Sequence, residues 1–257
     1  MRRFRPLCSF LLPLLLLAAC ESLPPPRDPG ENLCIAAETG EMALFRRAVR
    51  EGANLDSRDP GGKPALVIAA ENGRTAIVTN LLGGVTNFCP SAVPAHAEQR
   101  DRAGNTALLA AAGRNRAATV GWLLAFGADG EARTPDGETA LMVAARRGFA
   151  ATVGVLADGG IISTNARQRG ILQSYAPEKA LPLHPVALDA RDGSGRTALM
   201  KAVEQGKGNV VRLLLEKGAS KTARDRSGMT ALDWARYVGQ AEMEAILLSP
   251  VSPPASP

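Results

Sequence analysis

The sequence predicts an all-α protein, a solenoid of about six stacked helix-turn-helix repeats with two loop insertions. The first observation is self-similarity, because similar stretches begin at Asp59, Asp101, Thr134, Asp192 and Asp225. Their spacings of 42, 33, 58 and 33 residues share a period of 33, with additions of 9 and 25. A fixed period of this size is typical of units that bury their apolar faces against their neighbours. The second observation is that aromatic residues make up 4% of the chain, which favours a core of small aliphatic side chains.

Each copy carries the signals of a turn followed by two short helices, as in the stretch DRAGNTALLAAAGRN. Gly104 suits a tight turn that needs a positive φ, and Thr106 can cap the free amide groups of the helix that follows. Leu108 and Ala112 then give this helix a small apolar face, and a second apolar helix follows it. The equivalent residues elsewhere are Gly62, Gly137, Gly195 and Gly228 for the turn, and Thr139, Thr197 and Thr230 for the cap.

The two ends of the stack differ from the repeats between them. The stretch NLCIAAETGEMALFRRAVREGANLDSRD lacks the turn and the threonine, and we interpret it as an N-terminal capping repeat that packs Leu33, Ala36, Ala37, Leu44 and Val49 inward. DWARYVGQAEMEAILLS closes the other end. The predicted domain spans 32–249, with the capping repeat at about 32–58, full repeats 1 to 5 at 59–100, 101–133, 134–191, 192–224 and 225–249, and a disordered tail at 250–257.

The shared pattern G-x-T-A-L-x-x-A, followed by an apolar helix and G-A, resembles the ankyrin repeat. The resemblance covers most of 32–249, in five aligned copies. The chain departs from the family at the proline that follows the threonine, which is alanine here. It also departs at the family's histidine, so the hydrogen bond between the threonine and histidine side chains is expected to be missing, with apolar packing in its place. The residues at the histidine position are Val67, Leu109, Met142, Met200 and Asp233.

The resemblance implies that a partner protein binds in the groove formed by the turns and the first helix of each pair. The positions that match the family's contact positions are Lys63, Glu71, Arg102, Arg114, Asp136, Arg146, Arg147, Arg196, Glu204, Arg226, Arg236 and Tyr237. With Glu138 included, eight cations face four carboxylates along this strip. Because arginine pairs with carboxylates in a planar, bidentate geometry, one hypothesis is a partner with an acidic segment. The alternative is that these charges simply solvate the surface.

The first residues predict export from the cytoplasm. Three arginines precede an apolar run at 7–17, and small residues follow it, as in a secretory signal peptide. The run is too short for a membrane span and contains Pro13. The motif LAAC, which ends at Cys20, resembles the lipobox of bacterial lipoproteins and implies a signal peptide at 1–19 and a lipid on Cys20, with a proline-rich tether to residue 31. An ordinary signal peptide that leaves Cys20 as a plain thiol is the alternative.

Export changes the charge and the meaning of the cysteines. The chain has 30 Lys and Arg against 25 Asp and Glu, and loss of three arginines with the signal peptide lowers the excess from five to two. This balance does not favour nucleic-acid binding. In an oxidising compartment Cys34 and Cys89 are candidates for a disulfide, unless Cys34 is simply a small buried hydrophobe. Glu21, by resemblance to enteric lipoproteins, favours the outer membrane over the inner one.

No residue pattern predicts catalysis, a cofactor or a metal. His96 and His184 lie one in each insertion, and neither insertion supplies the three or four ligands of a zinc site. The sequence therefore predicts a non-catalytic interaction scaffold, lipid-anchored in the bacterial cell envelope and facing the periplasm. The alternatives are an accessory, inhibitory or immunity-type subunit of an envelope or secreted enzyme, and recognition of a wall polymer, for which the groove has few aromatics besides Tyr237. The larger insertion, at about 162–188, either covers the groove or presents a separate epitope.

Overall fold

The computed structural model describes residues 28–84, 97–159 and 186–249. Within these ranges the chain forms twelve α-helices and no β-strand, which confirms the predicted all-α class. A π-helical turn, Asn80–Gly84, continues the fourth helix. In chain order the helices are α1 (Pro29–Thr39), α2 (Met42–Arg50), α3 (Ala65–Glu71), α4 (Thr75–Thr79), α5 (Ala107–Gly113), α6 (Ala117–Ala125), α7 (Ala140–Arg147), α8 (Ala150–Ala157), α9 (Ala198–Glu204), α10 (Gly208–Glu216), α11 (Ala231–Val238) and α12 (Ala241–Leu248).

The helices form six pairs that stack in two layers. The odd-numbered helices, which we call the inner helices, pack against one another from α1 to α11, and the even-numbered outer helices form the second layer. Alanine side chains such as Ala111 and Ala144 are fully buried and let neighbouring inner helices approach closely. Larger side chains, among them Leu108, Leu141 and Leu199, are also buried and belong to the same hydrophobic core. This continuous core confirms the stacked solenoid.

Threonine caps begin four of the inner helices. The side chains of Thr106, Thr139 and Thr197 each accept a hydrogen bond from the backbone N–H three residues later, as the sequence predicts. Thr230 also accepts such a bond. At this repeat, however, the prediction that the threonine lacks a side-chain hydrogen-bond partner at the family's histidine position is wrong. The Asp233 carboxylate accepts hydrogen bonds from the Thr230 backbone N–H and hydroxyl, at 2.9 and 2.7 Å, and completes a capping box. The short carboxylate reaches back over one turn, which an apolar residue cannot do.

Between successive helix pairs the chain projects a short turn, which we call a finger. The residue that opens the finger bonds across it, as when Asp59 accepts the backbone N–H of Lys63 at 2.7 Å. The turn glycines have the predicted positive φ, and Gly137 shows why a larger residue does not fit. A Cβ atom on Gly137 would lie 2.9 Å from the backbone nitrogen of Gly193 in the next finger. The fingers are therefore packed side by side.

An arginine at the base of each of the first four fingers ties that finger to the next one. Arg58 Nη1 donates to the Gly62 carbonyl of its own finger at 2.8 Å and to the Arg100 carbonyl of the next repeat at 2.9 Å. Because each bond joins equivalent positions of adjacent repeats, the set fixes their register. The same inter-repeat bond is made by Arg100 to Arg133, by Arg133 to Arg191 and by Arg191 to Arg224.

These bonds continue across the larger insertion, so repeats 3 and 4 stay in register. Arg133 donates to the Arg191 carbonyl although 58 residues separate them. Nearby, the Glu131 carboxylate accepts the backbone N–H of Ala187 at 2.7 Å, and Val186 is buried in the core. Val186 and Ala187, which are predicted to lie in the insertion, therefore contact the stack.

The capping repeat packs against the core as predicted, although Leu44 and Val49 of its second helix are only partly buried. Leu33 and its neighbours on α1 are fully buried. In α2 the fully buried side chains are Phe45 and Ala48, whereas the predicted Leu44 and Val49 are half-buried. Phe45 and Ala48 are three residues apart on α2, so both lie on the same face of the helix, which meets the stack.

Candidate protein-binding groove

The finger tips and the ends of the inner helices form a groove along the stack. One depression in this groove, which we call the central cleft, has a volume of about 720 Å³ and is shared by repeats 1, 2 and 3. The structure thus brings together more than half of the predicted contact positions. Those that line the central cleft are Lys63, Glu71, Arg102, Arg114, Asp136, Arg146 and Arg147.

Ion pairs cross the groove within three of the repeats. Each joins the last finger residue before an inner helix to a residue at the end of that helix, eight positions later. In repeat 3 the order of the two charges is reversed. Since most of these side chains are partly exposed, each pair contributes at most about 1 kcal/mol, and its main effect is to hold the side chains in place. The pairs are Lys63–Glu71 at 2.6 Å, Glu138–Arg146 at 3.0 Å and Arg196–Glu204 at 3.0 Å.

Glu71 also links repeat 1 to repeat 2. Lys63 holds one of its carboxylate oxygens, and Arg114 Nη2 lies 2.7 Å from the other. Burial alone would raise the pKa of Glu71, but its hydrogen bonds to Lys63 and Arg114 outweigh burial and keep that pKa below its ordinary value. Glu71 is therefore a charged side chain whose two oxygens are already occupied.

Lys201, on the inner helix of repeat 4, was not predicted as part of the groove. Its ammonium lies 2.9 Å from Glu138 and 2.7 Å from Asp192, and its side chain is 11% exposed. Burial alone would raise the pKa of both carboxyls, but hydrogen bonds to Lys201 lower it in each. The same two bonds raise the pKa of Lys201 against the effect of its own burial. Lys201 thereby holds Glu138, and through it Arg146, in the groove wall.

Two arginines in the central cleft have no carboxylate partner in the described part of the chain. Arg102 is exposed, and its Nη2 donates to the Pro60 carbonyl at 3.5 Å. Arg147 is also exposed, and its Nη1 donates to the Gly113 carbonyl at 2.5 Å. Their guanidinium groups are thus free to pair with an incoming anion.

The C-terminal end of the groove presents an aromatic side chain. Tyr237, at the end of α11, is 76% exposed and lies edge-on to Trp234, with ring centroids 5.7 Å apart. The Arg196 guanidinium lies over the Trp234 ring, with its Cζ atom 4.5 Å from the ring centroid, so the indole contacts two predicted groove residues. Trp234 donates its indole N–H to Asp225 at 2.9 Å, which fixes its orientation. The remaining predicted cation of this end, Arg226, is exposed on the last finger.

The structure does not bring Arg236 into this strip. Counted from the capping threonine, Arg236 occupies the position of Ala145 and Val203, whose side chains are fully buried. Its guanidinium bonds to Glu244 on α12 at 2.9 Å, towards the outer layer. No further repeat covers α11 in the described chain, so a charged residue is tolerated here. The spacing from the threonine that holds in the other repeats would have identified Tyr237 and Val238 as the groove positions of this helix.

Cys34 carries a free thiol in the structure and is buried on α1. Burial, followed by the charges of Asp59 and Glu31, raises the pKa of this thiol to about 11. Its predicted disulfide partner Cys89 lies outside the described residues, so the pairing stays a prediction.

Other predictions also fall outside the described residues. They concern the signal peptide, the lipid on Cys20, the tail at 250–257, and His96 and His184 of the insertions. None of the helices in the described ranges is both long and apolar enough to cross a bilayer. These ranges also contain no cluster of three or more His, Cys, Asp or Glu side chains placed to hold a metal ion.

Comparison with known proteins identifies the fold family. A family model described as ankyrin repeats (three copies) matches residues 84–168 and 171–254. Among solved structures, the ankyrin repeat protein EF0377 is 23% identical at a TM-score of 0.65, over 86% of this chain and 98% of that chain. An ankyrin repeat domain from Acinetobacter baumannii AYE is 25% identical at a TM-score of 0.61, over 84% and 95% of the two chains. A chain in the complex of the predatory endopeptidase Bd0816 from Bdellovibrio bacteriovorus with the immunity protein Bd3460 is 24% identical at a TM-score of 0.59, over 84% and 96%. This chain belongs to the ankyrin repeat family.

Proposed function

We propose that this protein is a non-catalytic scaffold that binds a partner protein in its groove, and that a lipid on Cys20 anchors it in the bacterial cell envelope, facing the periplasm. Ankyrin repeat proteins generally bind other proteins without catalysing a reaction. The anchoring rests on the lipobox-like motif, and Glu21 favours the outer membrane. Several acyl chains would hold the protein durably at a bilayer, because each buried methylene group contributes about 0.8 kcal/mol.

The observation that carries the binding proposal is the central cleft. It combines a volume large enough for several side chains with Arg102 and Arg147, whose guanidinium groups have no carboxylate partner in the described ranges. Exposed arginine is enriched where proteins bind one another. An acidic segment of the partner fits this surface best, because it can pair with these arginines without displacing an internal carboxylate.

A second candidate function is inhibition of an enzyme, as an accessory or immunity-type subunit. It is favoured by the similarity to a chain from a complex between an endopeptidase and an immunity protein. The two functions differ in what they predict for the complex. An inhibitory subunit forms one stable complex of fixed stoichiometry with a single enzyme and lowers its activity, whereas a scaffold recovers several weaker partners.

Crosslinking in intact cells, followed by purification, tests the binding proposal. We expect wild-type protein to retain a partner that the double variant Arg102→Glu, Arg147→Glu loses. The matched control is Arg46→Glu with Arg50→Glu, which changes the charge equally on exposed positions of α2. If no protein is retained by the wild type, or if both double variants retain it equally, the groove is not the binding surface.

Mass spectrometry of the mature N-terminus tests the anchor. We expect a lipid-modified Cys20 as the first residue, and a Cys20→Ser variant that is released from membranes. A mature chain with an unmodified thiol at Cys20, or one that begins elsewhere, would refute the anchor and leave the binding proposal standing.

A further inference from the structure

Repeat 2 breaks the pattern of ion pairs that cross the groove. In repeats 1, 3 and 4 the side chain at the end of the inner helix pairs with the residue eight positions before it. In repeat 2 these two positions are Asn105 and Gly113, so no internal ion pair closes the groove there. The residues at the helix-end position in repeats 1 to 5 are Glu71, Gly113, Arg146, Glu204 and Tyr237.

The space left by Gly113 is used by an arginine from the next repeat. Arg147 donates through Nη1 to the Gly113 carbonyl, and a Cβ atom on Gly113 would lie 4.0 Å from Arg147 Cζ. The glycine thus leaves room for the guanidinium to lie over the end of α5. One Nη group is fixed by the carbonyl, which restricts the side chain while its remaining donors stay available.

We infer that this gap binds a single carboxylate side chain of the partner, a glutamate in an extended acidic segment, with Arg147 as its principal contact. The inference deepens the proposed binding function and rests on it. Arg102 lines the same cleft and also has no carboxylate partner in the described ranges, whereas Arg114 is bonded to Glu71. A guanidinium held at a carbonyl can still present two parallel N–H groups to a carboxylate.

The carboxylates that line the cleft do not compete for this position, with one exception. Glu71 and Glu138 are each held by two cations, and Asp101 accepts the backbone N–H of Asn105 at 2.8 Å. Asp136 is exposed and pairs with no cation in the described ranges. Two guanidinium groups without a carboxylate partner in the described chain, those of Arg102 and Arg147, therefore face one uncommitted carboxylate in the cleft.

The floor of the gap favours glutamate over aspartate. Leu109, Ala110 and Val143 line the cleft between the charged side chains. The two methylene groups of a glutamate can contact this apolar floor while the carboxylate reaches Arg147, and each buried methylene contributes favourably to binding. Aspartate, with one methylene, reaches less of it.

Fluorescence anisotropy with defined peptides tests the inference on the purified full chain. The probe is a fluorescein-labelled peptide of repeated Gly, Glu and Ser, compared with versions that carry Asp or Gln in place of Glu. We expect the Glu peptide to bind most tightly, the Asp peptide more weakly and the Gln peptide weakest, by about tenfold against Glu, because the charge-assisted bond is lost. Equal binding of the Glu and Gln peptides would overturn the inference.

Substitutions of Gly113 provide the matched variants. Gly113→Glu places a carboxylate beside Arg147 of the next repeat, as Glu71 lies beside Arg114 of the next repeat, and should weaken binding of the Glu peptide about tenfold. Gly113→Ala is the control, since its Cβ would meet Val143 at 3.6 Å, an ordinary contact, and the peptide should bind as to wild type. If Gly113→Glu unfolds the protein, Arg147→Gln takes its place with the same expectation. Unchanged peptide binding by the folded variant refutes the gap as the site.

The cellular partner separates this inference from the proposed function. If wild-type protein and Gly113→Glu retain the partner equally, while the Arg102→Glu, Arg147→Glu variant loses it, the groove binds the partner but the gap does not hold its carboxylate. If wild-type protein retains no partner, the proposed function fails. The peptide series then still tests whether the gap binds a glutamate side chain.

Discussion

Replacement of Lys201 by methionine is expected to destabilise the protein by about 3 kcal/mol, because it leaves two carboxylates without their shared cation. The Glu138 and Asp192 side chains are 9% and 3% exposed, so water cannot take the place of the ammonium. Loss of one partner from a buried ion pair costs about 3–5 kcal/mol. The lower end of this energy range applies here, because each carboxylate retains another partner. Glu138 still pairs with Arg146, and Asp192 still accepts the backbone N–H of Arg196 at 2.9 Å.

Urea unfolding followed by circular dichroism measures this effect, with Lys217→Met as the matched control. Lys217 pairs with Asp158 on the surface, where loss of the pair should cost about 1 kcal/mol or less. A triple variant that also carries Glu138→Gln and Asp192→Asn should regain part of the lost stability, because the buried charges are gone. If Lys201→Met is no more destabilising than Lys217→Met, the buried network does not stabilise the fold.

The effect should also depend on pH, with a sign set by the carboxyl pKa values. Bonds to Lys201 lower the folded-state pKa of Glu138 and Asp192, so their stabilisation is present above the unfolded values and is lost as the pH falls through the folded ones. In Lys201→Met, burial is no longer opposed by the ammonium, and both pKa values should rise. The stability difference between wild type and variant should therefore be full at neutral pH. It should begin to shrink as the pH falls through the raised pKa values of the variant, above the ordinary values of about 4, and continue to shrink down to the lowered values of the wild type. A difference that stays constant down to that range would refute this account.

Three further predictions concern the register, the thiol and a cap. Arg133→Gln should lower the free energy of unfolding by about 1–2 kcal/mol, because it removes hydrogen bonds to two carbonyls. The loss should exceed that of Arg224→Gln, since in the described ranges Arg224 bonds only to a carbonyl of its own finger. An equal loss for the two variants in denaturant melts would contradict this. The reduced Cys34 thiol, with a pKa of about 11, should react slowly with iodoacetamide at pH 8 in the folded protein and many-fold faster in urea. Fast labelling without urea would show that the thiol is not buried on α1. Thr139→Ala should cost about 1 kcal/mol in the same melts, and an unchanged midpoint would show that its cap does not stabilise α7.

The repeat architecture could be predicted because its signals are local and recur. The turn glycine and the capping threonine lie within a few residues of each other, so one copy such as Gly104 and Thr106 already indicates where an inner helix begins. Five copies at a common period then predict the stack. The same reasoning was wrong for Asp233, because a side chain that differs from its equivalents makes a bond that the other repeats lack.

The groove was predicted in part, because side-chain pairing depends on contacts between distant residues. Lys201 and Glu138 are 63 positions apart and belong to different repeats, with an insertion between them. A signal was present, since Lys201 occupies the position of Ala110 and Val143 on an inner helix. A cation at a position that is otherwise apolar indicates a buried carboxylate nearby. The sequence does not indicate which carboxylate meets it.

Internal pairing also explains why a count of arginines overstates the attraction of the groove for an acidic partner. At Arg114 and Arg146 an incoming carboxylate must compete with Glu71 and Glu138, so the exchange of one ion pair for another contributes little free energy. At Arg147 no internal carboxylate has to be displaced, and Gly113 leaves the space for the contact. The electrostatic part of the affinity should therefore be concentrated at repeat 2, although basic residues occur along the whole groove.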